Sequence, residues 1–230
     1  MSVCMLFSPT DHQTPLPTAR QVAPSIRAIW YNNSMDTSSL GTPPSGHIDI
    51  RRLADGDAPA LFVLAMAQGG DLDGFSWRKG LRSESDELSF IKWANSAEAR
   101  GDAYCRLITL DATPCGCASL YKPHPGSFST EHAPTLQMGY WVGRFARGHG
   151  IGSQAMLMLM AEAQAIFETG STVGIRTRSL NAPSLACASR LGMSAIGEAR
   201  PSMFDPSDVD LILRGSLSFK PALRPWAAKP

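Results

Sequence analysis

Apolar residues change period several times between residues 48 and 213, and these changes divide the stretch into strands and helices. Ile48-Asp-Ile-Arg-Arg-Leu53 alternates with the period of a half-buried strand, and Leu61, Leu64 and Ala65 form the stripe of a helix over about 55–67. Downstream, the pattern predicts a helix over about 84–97 that Ser83 starts, followed by a hairpin of strands 104–110 and 115–121 around an Asp111–Pro114 turn. A strand at 136–142, a helix at 153–167 and a strand at 171–177 come next. The last elements are a helix capped by Asn181, with Pro183 in its first turn and Gly192 after its end, and a closing strand at 208–213.

The most informative segment is Arg147-Gly-His-Gly-Ile-Gly152, which joins strand 136–142 to the long helix. Glycines at 148, 150 and 152 have no Cβ, so a ligand can approach their backbone closely. The first N–H groups of the following helix lack partners within the helix and lie at the positive end of its dipole. The segment therefore predicts a loop that binds a phosphate or a pyrophosphate.

Two common phosphate-binding motifs do not fit this loop. A P-loop ends in Gly-Lys-Ser/Thr, whereas Gly152 is followed by Ser153 and Gln154. A dinucleotide fold has the spacing G-x-G-x-x-G near the start of a βαβ unit, whereas these glycines follow G-x-G-x-G. The loop instead has the spacing Arg147-x-x-Gly150-x-Gly152, which belongs to neither motif.

Composition sets the outer bounds of the protein. The chain has 230 residues, 43% hydrophobic and 18% charged, which suffices for one sizeable domain with appendages. A formal net charge of +1 gives no indication of nucleic-acid or membrane-surface binding, and the apolar runs are far shorter than a membrane span. Residues 1–46 are rich in Pro, Ser and Thr, which predicts a flexible extension before a domain at 47–219 and a flexible tail at 220–230.

The five cysteines indicate a reducing compartment. Their number is odd and their spacing, at 4, 105, 115, 117 and 187, is not that of a disulfide framework. Cys115 and Cys117 are expected to share one face of a strand. They lack the CxxC spacing and histidine partners of a zinc site, so no metal is expected.

Four segments together resemble one family. They are Arg147-x-x-Gly150-x-Gly152 preceded by Gly139-Tyr-Trp-Val142, Ile48–Phe62, Asn181-Ala-Pro-Ser184 with Ser189–Met193, and Asp208–Leu213. In this order and spacing they resemble the GNAT N-acetyltransferases, in particular the RimJ/RimL-like branch that acetylates N-termini of ribosomal proteins. The resemblance implies an α/β (α+β) fold, with a mixed, mostly antiparallel twisted sheet of about six to seven strands and about four helices, opened where acetyl-CoA binds.

The resemblance also implies which residues bind acetyl-CoA, the co-substrate. Strand 136–142 would splay and hold the pantetheine arm through its backbone, and Arg147 would add charge near the pyrophosphate. Asn181 would cap its helix and contact the pantetheine amide. The cofactor residues implied are Met138, Tyr140, Val142, Arg147, Gly148, His149, Gly150, Ile151, Gly152, Ser153, Asn181 and Ser184.

The implied reaction is direct attack of an amine on the thioester, for which positioning is the main contribution. Ser184 is the candidate for protonating or hydrogen-bonding the departing sulfur. The general base is left open: Gln137 occupies a position that is often glutamate in the branch, Glu198 aligns loosely with an acidic position, and Asp205 and Asp208 are nearby. A chain of water molecules would also suffice, and His149 is expected to be exposed rather than catalytic.

The resemblance implies that the acceptor enters between residues 69–83 and 199–208. Asp71, Asp73 and Trp77 are candidate substrate-binding residues, because carboxylates beside aromatic rings suit a cationic acceptor. Gln137 is a further candidate through its position in the resemblance. A protein N-terminal amine is the leading acceptor, and a small amine (polyamine, amino acid or drug) is the alternative. A non-catalytic acyl-CoA sensor is the alternative outside enzymes. A cytoplasmic protein is expected, and a homodimer is left open.

Overall fold

The computed structural model describes residues 46–72, 76–123, 128, 133–199 and 209–218. Nearly all of the predicted extension 1–46 and the whole tail 220–230 lie outside the described residues, and so do the candidate site residues Asp73, Asp205 and Asp208.

Within the described residues, seven strands form one mixed sheet. Its order is β1-β2-β3-β4-β5-β7-β6, and every neighbouring pair is antiparallel except β4 and β5, which are parallel. The prediction of a mixed, mostly antiparallel sheet is confirmed. The strands are β1 Ile48–Arg52, β2 Ala103–Leu110, β3 Thr113–Tyr121, β4 Leu136–Val142, β5 Thr172–Arg178, β6 Ser194–Ala199 and β7 Asp210–Ser216.

In the part of the chain that the structure describes, five helices flank the sheet, whereas about four are expected. The additional helix, α2, is short and falls in the segment after Gly69-Gly70, for which the sequence predicts neither a helix nor a strand. The first predicted helix begins with a 3-10 turn at Asp55–Asp57 before α1. The helices are α1 Ala58–Met66, α2 Ser76–Gly80, α3 Glu84–Ala99, α4 Ile151–Ala163 and α5 Ala182–Arg190.

The predicted end of the long helix is four residues too late. Helix α4 ends at Ala163, and the chain turns through residues 164–167. Phe167 still packs against the core and donates its backbone N–H to Ala163 O at 2.9 Å. The apolar period therefore continues past the helix because the turn returns Phe167 to the same face.

The helices pack on opposite faces of the sheet. The larger core lies between the sheet and helices α4 and α5, with Leu159, Ile108 and Leu120 completely buried. A smaller core lies between the sheet and helices α1 and α3, with Leu61, Ile91 and Leu107 completely buried. We call these two sides the α4/α5 face and the α1/α3 face.

Two predicted helix starts have the expected capping contacts. The Ser83 hydroxyl accepts from Asp86 N at 3.3 Å, and the Asp86 carboxylate accepts in return from Ser83 N at 2.9 Å. Asn181 Oδ1 accepts from Ser184 N at 3.3 Å, which fixes the start of α5. Gly192, with φ +68°, follows the end of that helix as predicted.

The predicted four-residue turn between β2 and β3 is wrong. The strands are joined by Asp111 and Ala112 alone, both with positive φ (48° and 62°), while Thr113 and Pro114 already belong to β3. Asp111 holds this left-handed turn in place because its Oδ1 accepts from His47 N at 2.7 Å. That contact joins residues 64 positions apart, so no local pattern predicts it.

The expectation that Cys115 and Cys117 share one face is also wrong. The register of β3 against β2 shifts at this point: Gly116 lies opposite Ile108, but Pro114 lies opposite Thr109. Cys115 is therefore the extra residue of a β-bulge, which turns its side chain to the other side of the strand. Cys115 packs in the α4/α5 core, whereas Cys117 packs in the α1/α3 core.

Strands β4 and β5 separate soon after they begin. They pair only at Leu136–Val173 and Gln137–Gly174, although both continue for several residues. From Met138 onward β4 keeps its pairing with β3 and loses its pairing with β5. The sheet therefore contains a wedge-shaped opening with Gln137 at its apex.

Candidate active site

The glycine-rich segment forms the start of helix α4, as predicted. Gly148 and Gly150 have φ values of +81° and +77°, in the left-handed region that favours glycine. The first backbone hydrogen bond of the helix runs from Gln154 N to Gly150 O at 3.0 Å. The N–H groups of the first turn, from Ile151 to Ser153, are therefore available to an anion at the end of the helix.

The open half of β4 lies against this helix start. A Cβ at Gly152 would lie 2.8 Å from Cε2 of Tyr140, so only glycine allows the ring to approach so closely. The side chains of Met138 and Val142 are buried in the α4/α5 core. These two residues can therefore contribute to the opening through their backbone, as the resemblance implies.

A group of three polar side chains lies beside the opening on the α4/α5 face. The Tyr140 hydroxyl lies close to the Ser184 hydroxyl and the Cys187 thiol. Burial raises the pKa of Tyr140 well above its usual range, so its hydroxyl stays protonated at neutral pH. The structure thus brings together Tyr140 and Ser184, two predicted site residues that are 44 positions apart in the sequence.

Three other predicted cofactor residues, Ser153, Asn181 and His149, lie at or just before the starts of helices α4 and α5. Ser153 is buried, and its Oγ accepts from Arg190 Nη1 at 3.5 Å, so the Arg190 side chain reaches back from the end of α5 towards the start of α4. Asn181 is occupied in capping α5. His149 is half-buried within the glycine loop, which differs from the exposed position expected.

Arg147 has contacts that the sequence does not predict. Its Nε donates to Val142 O at 2.9 Å, Nη1 to Asp71 at 2.6 Å and Nη2 to Gln68 Oε1 at 3.0 Å. Asp71 also accepts two hydrogen bonds from Arg144, at 2.7 and 2.8 Å. The carboxylate of Asp71 is thus compensated by two arginines, so we do not retain it as a binding residue for a cationic acceptor.

The α1/α3 face of the opening has neutral polar and aromatic groups. Gln137 lies opposite Tyr121 in the strand register, and Ser119 Oγ donates to Gly139 O at 3.2 Å. Trp77 of α2 packs against Trp141 of β4 with ring centroids 5.9 Å apart. The candidates Gln137 and Trp77 therefore lie on the same side of the opening.

Glu198 lies on the other face of the sheet. It is within β6 and pairs with Leu211, which packs against the α4/α5 core. Paired residues on antiparallel strands project to the same face, so Glu198 is on the side opposite Gln137. The register does not bring this candidate base to the face from which the amine is expected to enter.

The family model for the acetyltransferase (GNAT) domain matches residues 47–194, more than half of the chain. The chain belongs to the GNAT acetyltransferase family. This GNAT chain is an N-acetyltransferase that uses acetyl-CoA, and the opening between β4 and β5, with the glycine loop beside it, is the feature that the resemblance implies for that co-substrate. No curated protein sequence matches the chain significantly.

Solved structures share the fold of this GNAT domain at about a fifth sequence identity. RimL, a ribosomal L7/L12 α-N-protein acetyltransferase in complex with coenzyme A, has a TM-score of 0.64 and 21% identity over 76% of this chain and 97% of RimL. Mycobacterium smegmatis RimJ with CoA-disulfide has a TM-score of 0.62 and 20% identity over 75% and 83%. The microcin C7 self-immunity acetyltransferase MccE, with acetyl-CoA and AMP, has a TM-score of 0.60 and 21% identity over 77% and 99%. Identities this low show only the common fold.

Neither a metal-binding cluster nor a membrane-spanning helix is found among the described residues of the GNAT domain. In the part of the chain that the structure describes, no three His, Cys, Asp or Glu side chains lie together as metal ligands would. Among those same residues, none of the helices has the length and apolar character needed to span a membrane.

Among the described residues of the GNAT domain, the buried polar side chains that were not singled out from the sequence include Gln68, Glu87 and Asp210. Gln68 and Glu87 are 2% and 5% exposed, and Asp210 is completely buried and accepts from Arg176 Nε at 2.7 Å. Spacing could have found the first two: Gln68 continues the stripe of Leu61 and Ala65, and Glu87 lies four residues before Ile91. A polar residue on the buried stripe of a helix is the signal to look for.

Glu87 is expected to make stability fall as the pH rises. Burial raises the pKa of Glu87 from 4.5 to about 7. The folded protein therefore binds more protons than the unfolded chain between these values, and the contribution of Glu87 is complete below about pH 4.5 and lost as the pH rises through about 7. The loss is about 3 kcal/mol in the free energy of unfolding. Urea unfolding between pH 4 and 8 measures it.

The matched variants are Glu87→Gln and Glu84→Gln, which replace a buried and an exposed acid of the first turns of α3. Glu87→Gln should flatten the fall in stability across this pH range, while Glu84→Gln should keep it. The comparison uses slopes against pH, because the buried amide carries a constant cost of its own. Equal slopes for wild type and Glu87→Gln would contradict the assignment.

Proposed function

We propose that this GNAT enzyme transfers the acetyl group of acetyl-CoA to the N-terminal α-amine of a protein or peptide. The observation that carries the proposal is Gln137 at the apex of the opening between β4 and β5. An amide side chain cannot accept the proton that the attacking amine must lose. An acceptor that is already largely deprotonated near neutral pH therefore fits this position best.

The pKa of the amine separates the possible acceptors. An α-amine has a pKa of about 8, so roughly a quarter to a half of it is uncharged at pH 7.5–8. A lysine side chain has a pKa of about 10.4, and less than about 1% of it is uncharged in that range. Without a carboxylate at position 137, the α-amine gains an advantage of about a hundredfold in reactive concentration.

The charges around the opening support a peptide rather than a polyamine. A polyamine would need several uncompensated carboxylates. Among the described residues, Asp71 is paired with two arginines and Asp210 with Arg176. Gln137 and Ser119 instead offer neutral hydrogen-bonding groups, which suit the backbone of an extended peptide.

The names of structures with the same fold agree with this class of acceptor. RimL is described as a ribosomal L7/L12 α-N-protein acetyltransferase, and the enzyme from Salmonella typhimurium as one that modifies the N-terminal serine of that protein. The structure of MccE contains the small molecule AMP together with acetyl-CoA, so a small acceptor is the second candidate. A protein acceptor of this kind would also fit a cytoplasmic location.

In the proposed reaction, the residues of this chain orient the two substrates and stabilise the departing sulfur of CoA. Acetyl-CoA supplies the activated acyl group. The first-turn N–H groups of α4 would hold the pyrophosphate, and the open edge of β4 would align the pantetheine arm. The amine would approach from the α1/α3 face and pass its proton to water. Ser184, supported by Tyr140, would donate a hydrogen bond to the departing sulfur on the α4/α5 face.

The test is release of CoA thiol from acetyl-CoA in the presence of matched acceptors. The panel contains a peptide with a free N-terminal serine and no lysine, the same peptide with its N-terminus blocked and one lysine added, and small amines including spermidine and free amino acids. We expect the first peptide to react about a hundredfold faster than the blocked one at pH 7.5. Mass spectrometry should locate the added acetyl group on the α-amine.

Each other outcome favours a different function. Faster turnover of a small amine than of every peptide would make this protein a small-molecule acetyltransferase. Binding of acetyl-CoA by calorimetry, with no thiol released for any acceptor, would favour the acyl-CoA sensor. Equal rates for the two peptides would contradict the argument from Gln137.

A further inference from the structure

Four residues join the segment after helix α1 to the loop that precedes helix α4. Asp71 accepts hydrogen bonds from Arg144 at 2.7 and 2.8 Å and from Arg147 at 2.6 Å. Gln68 Oε1 accepts from Arg144 N at 2.9 Å and from Arg147 Nη2 at 3.0 Å. We call Gln68, Asp71, Arg144 and Arg147 the arginine clasp. It joins parts of the chain more than 70 residues apart.

Gln68 is the buried residue of the arginine clasp, and a hydrogen bond to helix α1 holds its side chain in place. The residue is 2% exposed, and its Nε2 donates to Leu64 O at 2.7 Å in helix α1. Its amide oxygen is thereby directed towards Arg144 and Arg147. One of its two bonds is to the backbone N–H of Arg144, so it fixes the main chain of the loop and not only a side chain.

Asp71 compensates the charge of both arginines. Hydrogen bonds from Arg144 and then Arg147 hold the pKa of the Asp71 carboxyl well below its usual range, so the carboxylate stays ionised at any pH at which the enzyme would be assayed. Arg147 uses Nε, Nη1 and Nη2 on Val142 O, Asp71 and Gln68. Its guanidinium N–H groups are therefore engaged within the protein, whereas the resemblance implies that Arg147 adds charge near the pyrophosphate.

We propose that Gln68 and Asp71 are positioning residues for the pyrophosphate loop. Through Arg144 and Arg147 they hold the chain between the end of β4 and the first glycine of the loop, so that the N–H groups of α4 are in place before acetyl-CoA binds. A preformed loop avoids the cost of ordering it on binding. This inference concerns the co-substrate only and is independent of the identity of the acceptor.

The direction in which Asp71→Asn changes CoA affinity distinguishes loop positioning from a direct attraction between Arg147 and the pyrophosphate. Asp71→Asn removes a negative charge near the expected site of an anionic ligand. If Arg147 acted directly on the pyrophosphate, the variant would bind CoA more tightly, because the arginine charge would no longer be compensated. If Asp71 positions the loop, the variant should bind CoA about tenfold more weakly.

The experiment measures CoA affinity by calorimetry for the full chain carrying Asp71→Asn or Gln68→Met, with Asp55→Asn as control. Asp55 is an exposed acid in the turn before α1, so its substitution changes the net charge equally without touching the arginine clasp. Measurements at 0.15 M and 0.5 M salt separate screened attraction from geometry. We expect weaker CoA binding for both clasp variants at both salt concentrations, and no change for Asp55→Asn.

A second measurement distinguishes loop positioning from general destabilisation. Steady-state assays compare acetyl-CoA with S-acetylpantetheine, which lacks the pyrophosphate, and calorimetry compares CoA with pantetheine. The clasp variants should raise the KM for acetyl-CoA about tenfold and leave kcat and the values for the pantetheine ligands unchanged. Unchanged or tighter CoA binding by Asp71→Asn, or equal losses for CoA and pantetheine, would overturn the proposal.

Discussion

Gly150→Val is expected to weaken CoA binding at least a hundredfold in a protein that remains folded. Gly150 has φ +77°, a conformation in which a β-branched residue is a strong outlier. Beyond the two neighbouring residues of the chain, no described atom lies within 4 Å of a Cβ placed there, so the protein itself leaves room for the side chain. That open space is the expected path of the pyrophosphate to the first turn of α4. The valine would therefore both distort the loop and occupy the ligand's position.

The control for this prediction is Gly101→Val. Gly101 has φ +70° and equally open surroundings, but lies in the turn between α3 and β2. Both substitutions thus impose a similar backbone strain of about 1–3 kcal/mol, and only one lies in the loop. Calorimetry with CoA, together with far-UV circular dichroism and thermal unfolding, should show lost binding for Gly150→Val alone. Similar CoA affinities for the two folded variants would remove this loop from the cofactor site.

The order of strands and helices was predictable because most of these elements have a regular apolar period and are bounded by capping or turn residues. Strand β4 matches its predicted range, and the caps at Ser83 and Asn181 are present. These features depend on residues within a few positions of one another. The two-residue turn at Asp111 depends instead on His47, and the bulge at Cys115 depends on the register with β2, so a local pattern predicts neither.

The candidate site was predictable where backbone geometry determines it and less so where charges pair over long distances. The positive φ values of Gly148 and Gly150 follow from the glycines themselves. Asp71 and Arg147, in contrast, are each plausible ligand contacts when considered separately, and only the fold shows that they bind each other. Glu198 was misplaced for a related reason, because the face of a strand residue depends on register.

Ser184→Ala is expected to slow the chemical step by roughly 10- to 1,000-fold while changing acetyl-CoA affinity little. The substitution removes a hydroxyl but little volume, and the backbone N–H of residue 184 can still donate to Asn181 Oδ1. The lost hydroxyl would no longer donate to the departing sulfur. The Ser184 hydroxyl lies close to the Tyr140 hydroxyl, which stays protonated at neutral pH and would orient it. Single-turnover rates, with the best acceptor of the panel above, measure this step.

Two further variants separate donation by Ser184 from donation by Tyr140. Ser184→Thr keeps a hydroxyl at the same position and should restore most of the rate. Tyr140→Phe removes the phenol beside it. If Ser184 donates and Tyr140 only orients it, Tyr140→Phe should slow the reaction less than Ser184→Ala, and the double variant should be no slower than Ser184→Ala alone. A larger loss for Tyr140→Phe would assign the donor to tyrosine, and an unchanged single-turnover rate for Ser184→Ala would reduce Ser184 to a residue of the first turn of α5.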